Sequence, residues 1–176
     1  MTNSGFILHA ERDHAHFLRL VGAIRYPLAP SLDAFLQKLF AAITPRAFLV
    51  DLSATELIDS TNLGLLVKIA RFMAERHAPL AVLFSPREDI TAVLISMGFD
   101  QFFNLITTDA IVEVESTTCE PIPRAEVTQA DLARTILEAH RDLINMDARN
   151  EAAFRDVVRY LEQEVNHPPT IRSGGT

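Results

Sequence analysis

Hydrophobic and polar positions follow two different periods along this chain. "HAHFLRLVG" (14–22) alternates at every second residue, as a half-buried strand does, so residues 5–23 read as two short strands around a polar turn at Glu11–Asp13. After "YPLAPS" the period lengthens. Leu32, Phe35, Leu36, Leu39, Phe40 and Ile43 fall on one face of a helix over 31–43, with Ser31 as its N-cap and Pro45 as its stop. "AFLVDLS" (47–53) and "PLAVLFS" (79–85) are short apolar runs of the kind that make buried strands. Between them Leu63, Leu66, Val67, Ala70 and Met73 form the stripe of a helix over 63–75. A helix over 88–97 should close at a left-handed Gly98. "QFFNLIT" (101–107) predicts a further strand and "DAIVEVE" (109–115) a short helix.

This order, ββαβαβαβα, predicts an α/β fold with a mixed, mainly parallel sheet covered by helices, the opening hairpin supplying an antiparallel edge. Periodicity lapses after residue 116. The expected organisation is therefore an α/β domain over 1–116, a linker over 117–126, a helical extension over 127–165 and a disordered tail over 166–176. In the extension, Thr128 and Asp131 have a spacing close to that of a capping box, and Leu132, Ile136, Leu143 and Ile144 line up behind them. Asp147 or Asn150 would cap a second helix with Phe154, Val157, Val158, Leu161 and Val165 on one side. These apolar faces suit packing on the domain, a homodimer, or a second docking surface.

Composition narrows the function classes. Of 176 residues 48% are hydrophobic, enough for a core. The net charge of −7 comes without any Lys/Arg block, which argues against nucleic acid or an anionic membrane as partner. The one cysteine, Cys119, forms no internal disulfide and begins no thiolate zinc site, and it reads as an inert linker residue. There is no signal-peptide pattern and no run of about 18 apolar residues. A soluble, cytoplasmic protein is expected. His14 and His16 share a strand face but lack a recognisable third ligand, so they are expected to face solvent, and neither metal nor cofactor is implied. His77 ends a helix, where a cation suits the dipole. No nucleophile–base pair or phosphate-cradling Gly loop is legible, so the chain does not read as an enzyme.

One stretch stands apart: "TELIDSTNLGLLVKIA", Thr55 to Ala70, sets an acidic turn and two hydroxyls before an apolar helix. On residue types alone, Ser60 and Thr61 are helix caps, and Asp51 and Asp59 are loop-shaping or interface carboxylates rather than a general acid and base.

"FLVDLSATELIDSTNLGLLVKI" resembles the signature of the STAS domain (sulfate transporter and anti-sigma factor antagonist). The pattern is an apolar strand ending in Asp51-Leu52, a short loop, Asp59-Ser60-Thr61, then an apolar helix with an early Gly64. Gly22, "PLAVLFSP" and "LISMGFDQFFNLI" extend the likeness over roughly residues 5–116. Family members often carry Gly where this chain has Asn62 and an acidic residue where Ala23 follows Gly22. The resemblance implies a non-enzymatic anti-sigma factor antagonist acting by partner switching. Unphosphorylated, it would bind an anti-sigma factor; a serine kinase would modify Ser60 (Thr61 the runner-up) and a phosphatase reverse it. Asp51, Glu56, Asp59, Ser60, Thr61 and Asn62 would form the partner surface. The alternative it implies is an accessory subunit of a membrane transporter, such as a lipid-transport ATPase complex. A phosphate brings roughly −1.5 to −2 charges. The dipole of the helix favours it, while Asp59 and Glu56 oppose it. The expected effect is a small change in the fold and a large one at the partner surface.

Overall fold

Two adjacent residues of positive φ, Asp13 (52°) and His14 (63°), reverse the chain between β1 (Phe6–Arg12) and β2 (Ala15–Ile24). The structure is a computed structural model describing residues 4–42, 44, 46–108 and 118–167. Along β2 every second residue is buried, so one face of the sheet meets the helices. A 3-10 turn (Tyr26–Leu28) leads into α1 (Ala29–Ala42), followed by β3 (Ala47–Asp51), β4 (Thr55–Ile58) and α2 (Ser60–Glu75). Then come β5 (Val82–Phe84), α3 (Glu88–Ser96), α4 (Phe99–Phe102), β6 (Asn104–Ile106) and β7 (Glu120–Pro121). Two long helices, α5 (Gln129–Met146) and α6 (Arg149–Asn166), end the described chain.

Among the described residues the sheet runs β6-β5-β3-β2-β1-β7, with β4 beside the end of β2. The β2–β3, β3–β5, β5–β6 and β2–β4 pairs are parallel, and those of β1 with β2 and β7 are antiparallel. This is the mixed, mainly parallel α/β class that the periodicity implies. Leu18, Leu20, Val50, Leu52 and Leu83 of the sheet region meet Leu32, Leu36, Leu65, Leu66 and Ile69 of α1 and α2 in one core, which Ala139 and Leu143 of α5 join.

Several local expectations change. Ser31 does not cap α1, which starts two residues earlier; its Oγ instead accepts from the Ala125 amide at 3.0 Å. Glu120–Pro121 pairs with β1, so the segment expected to be a linker lies along the sheet edge, outside the opening hairpin. Residues 55–58, expected as loop, form β4. Phe99–Phe102 form a helical turn, so the strand expected from 101 begins at Asn104; Gly98 before it is left-handed (φ 85°), as expected. His14 lies in the hairpin turn, and His16 is 1% exposed, stacked between His9 and Phe48; the pair does not share a solvent face. The helix expected over 109–115 lies outside the described residues, as do Ile43, Pro45 and residues 168–176 of the expected tail.

Candidate functional site

The Asp59–Asn62 segment is placed by the end of β2. Gly22, at φ 76°, allows a bulge before Ala23 and donates to the Ala54 carbonyl at 2.8 Å. Thr55 Oγ1 donates to the Leu20 carbonyl at 2.8 Å, and the Asp59 amide to the Ile24 carbonyl at 3.1 Å. Four residues of strand thereby deliver the chain to the start of α2 in fixed register.

The cap of α2 is Asp59. Its backbone is extended, and one oxygen, Oδ1, accepts from both the Asn62 amide (3.0 Å) and the Asn62 side-chain Nδ2 (2.9 Å). Ser60 is the first helical residue, and its hydroxyl caps nothing. It lies 2.9 Å from Nε2 of His140, on α5, eighty residues further along the chain. His140 is 4% exposed, its ring set edge-on against Phe154 of α6, and its Nδ1 lies 2.7 Å from the Ile136 carbonyl. A carbonyl only accepts, so Nδ1 carries a proton; the neutral ring then presents the Nε2 lone pair, to which Ser60 Oγ–H donates. This pair differs from a catalytic one: the far nitrogen faces a main-chain carbonyl where a triad has a carboxylate to stabilise the imidazolium.

The six residues expected at a partner surface divide by exposure. Glu56 is exposed, and Asp59 and Ser60 are half-buried. Asp51, Thr61 and Asn62 are buried. The Asp51 carboxylate accepts from the Ser53 amide at 2.8 Å and meets Arg19 at 3.3 Å, so it shapes the loop after β3. Asn62 braces the cap, and its Oδ1 has no partner.

α5 covers the first turns of α2. Gly64 makes this approach possible: a Cβ there would stand 2.1 Å from the Ala139 carbonyl oxygen. Around it Arg71 pairs with Asp142 at 2.8 Å, and Lys68 lies 3.9 Å from Glu138. Asn150 Nδ2 donates to the carbonyls of Leu143 (2.8 Å) and Met97 (3.1 Å), tying the α5–α6 turn to the end of α3. Thr128 caps α5 by accepting from the Asp131 amide and donating to its carboxylate. At α6 the Asp147 carboxylate accepts from the Arg149 amide, whereas Asn150 serves the helix junction. Of the line expected through Leu132, Ile136, Leu143 and Ile144, Leu143 is buried and the other three are half-buried, and Leu137 and Ala139 complete the buried apolar face.

Residues 7–111 match the family model described as the STAS domain. Among solved structures, an anti-sigma factor antagonist from Mycobacterium paratuberculosis is similar, with a TM-score of 0.52 at 23% identity over 60% of this chain and 88% of that one. No curated protein matches. α5 and α6 lie beyond the residues matched to the family. Among the described residues, no helix is long and apolar enough to cross a membrane and no cluster of side chains could hold a metal ion.

Proposed function

Since this chain belongs to the STAS domain family, we propose that it is a phosphorylation-controlled antagonist of an anti-sigma factor, with Ser60 as phosphoacceptor. Unphosphorylated, the chain binds the anti-sigma factor; a serine kinase modifies Ser60 and ends the complex, and a phosphatase restores it. The observation that carries this reading is the division of labour at the start of α2. Asp59 performs the capping, which leaves the Ser60 hydroxyl, half-buried at the positive end of the helix, without a backbone duty. Thr61 is buried in the same turn and is the poorer acceptor.

Glu56, Asp59 and Ser60 are the residues offered to a partner, and Asp51 and Asn62 hold the loop behind them, with Thr61 buried in the same turn. Setting a phosphate dianion against a surface complementary to a hydroxyl and carboxylates leaves a poorly compensated charge at the interface. About 2.8 kcal/mol of that penalty is enough for a hundredfold loss of affinity. Mass spectrometry of the protein from its own cells should find phosphate on Ser60; phosphate at another residue overturns the assignment. Ser60→Ala should capture an anti-sigma factor that Ser60→Asp does not. Recovery of a transporter ATPase by both variants would instead indicate an accessory subunit.

A further inference from the structure

Resting on the reading of Ser60 as phosphoacceptor, we infer that His140 is the receptor for the phosphate on Ser60, and that modification fastens the α5–α6 hairpin over the start of α2. The hydrogen bonds around the ring carry this. In the unmodified chain a neutral hydroxyl donates to a neutral nitrogen, across 2.9 Å. On phosphorylation the Oγ–P bond forms, the terminal phosphoanhydride bond of a nucleoside triphosphate breaks, and the hydroxyl proton leaves. Oγ then has nothing to donate, and a bare Nε2 would face phosphate oxygens, lone pair against lone pair. Uptake of one proton from water at Nε2 removes the conflict. Both ring nitrogens become donors, one to the Ile136 carbonyl as before and the other to the phosphate, a charge-assisted bond stronger than the neutral one it replaces.

The surroundings favour fastening over expulsion. The amide end of α2 attracts an anion. The nearby carboxylates are occupied or solvated: Asp59 is engaged by Asn62, Glu56 is exposed, and Glu138 and Asp142 face Lys68 and Arg71. Phe154 holds the imidazole edge, so the ring stays at the site. Ser60 is half-exposed, which leaves a solvent side for the added oxygens, while Gly64 keeps the α5 backbone close. Of the residues offered to a partner, Ser60 is the one that lies against α5. A phosphate would thus act against binding twice, through its charge and by holding the cover down.

The test uses the full chain with phosphoserine incorporated at position 60 during translation. Amide hydrogen exchange over 136–146 should slow about tenfold relative to the unmodified chain, equivalent to about 1.4 kcal/mol. The His140→Gln variant, whose amide cannot take up the charge, should lose that slowing. Nitrogen NMR of the imidazole should show His140 protonated at both positions in the phosphorylated chain, a readout that stands even if His140→Gln fails to fold. Equal or faster exchange on phosphorylation, or a neutral ring, overturns the proposal. Because the phosphate is installed without a kinase, failure here leaves the Ser60 assignment to the mass spectrometry, and failure there leaves this contact standing.

Discussion

At the start of α2 a single carboxylate oxygen takes two hydrogen bonds, from the Asn62 amide and from its side chain. Asp59→Ala removes a cap, at about 0.5–2 kcal/mol, and leaves a buried amide group without a partner, at about 1–3 kcal/mol more. Ser60→Ala strips the partner from one ring nitrogen and leaves the cap intact. Urea unfolding should therefore find Asp59→Ala the costlier of the two, and the reverse order would show that Ser60 does cap. A second residue-scale prediction concerns His9 and His16, stacked with Nε2 and Nδ1 3.2 Å apart. Burial is the main cause holding both below the usual imidazole value of 6.5, and the charge of His16 adds to it at His9, while Glu11 pulls the other way. The unfolded chain consequently binds more protons in the window just below 6.5. Stability should fall as pH drops through that window and stay level, as far as this pair is concerned, above it. The urea midpoint should decline between pH 7.5 and 5.5, and decline less in His16→Phe, which keeps a ring against Phe48. An unchanged pH slope in that variant would remove the pair from the explanation.

Between elements, the decisive contact is Gly64 of α2 against Ala139 of α5. In isolation, Gly64→Ala should strengthen α2 by about 0.8–1 kcal/mol, since glycine is a poor helix former. Here the added Cβ would meet a main-chain oxygen at 2.1 Å, and backbone cannot turn aside as a flexible side chain can. The expected outcome is a chain whose sheet and α2 stay folded while α5 and α6 exchange amide protons and yield to protease faster. Protection of α5 equal to that of the unsubstituted chain would mean the helix has a slacker seat. The helices other than α4 and the strands other than β4 and β7 were legible because each rests on a local period, and the Asp-Ser-Thr turn because its residues are contiguous. β4 was not: "TELI" is four residues long, and its strand identity comes from Gly22–Ile24 beside it. Ser31 looked like a cap because the helical stripe starts after it, yet Pro30 suits the first turn of a helix already begun at Ala29. His140 carried no sequence signal at all. A histidine among Leu137, Ala139 and Leu143 reads as part of an amphipathic face, and its partner is eighty residues away.

Across the whole molecule, Lys68 joins three helices: its Nζ lies 2.7 Å from Asp33 of α1 and 3.9 Å from Glu138 of α5. The two contacts are unequal in kind as well as length. The Lys68 and Asp33 side chains are 12% and 9% exposed, whereas Glu138 is 48% exposed, where water screens most of the attraction. Lys68→Met strands a buried carboxylate with Gln37 as its remaining partner. It should cost about 3–5 kcal/mol, which at about 2–4 °C per kcal/mol for a chain of this size is a drop in melting temperature of roughly 6 °C or more. Replacing both partners, as Lys68→Met with Asp33→Leu, removes the stranded charge and should recover most of that loss, so the two substitutions will not add. Glu138→Gln, by contrast, should shift stability by less than about 1 kcal/mol. This ordering separates two architectures. If Lys68 chiefly bound the extension to the domain, Glu138→Gln would be as damaging as Lys68→Met, and both would act by freeing α5. If the Lys68–Asp33 pair belongs to the α1–α2 core, as its burial argues, Lys68→Met lowers the stability of the whole domain, and α5, seated on Ser60, Gly64 and Arg71 of α2, loses protection only together with it. Thermal melts read together with hydrogen exchange on α5 distinguish these outcomes in the intact chain.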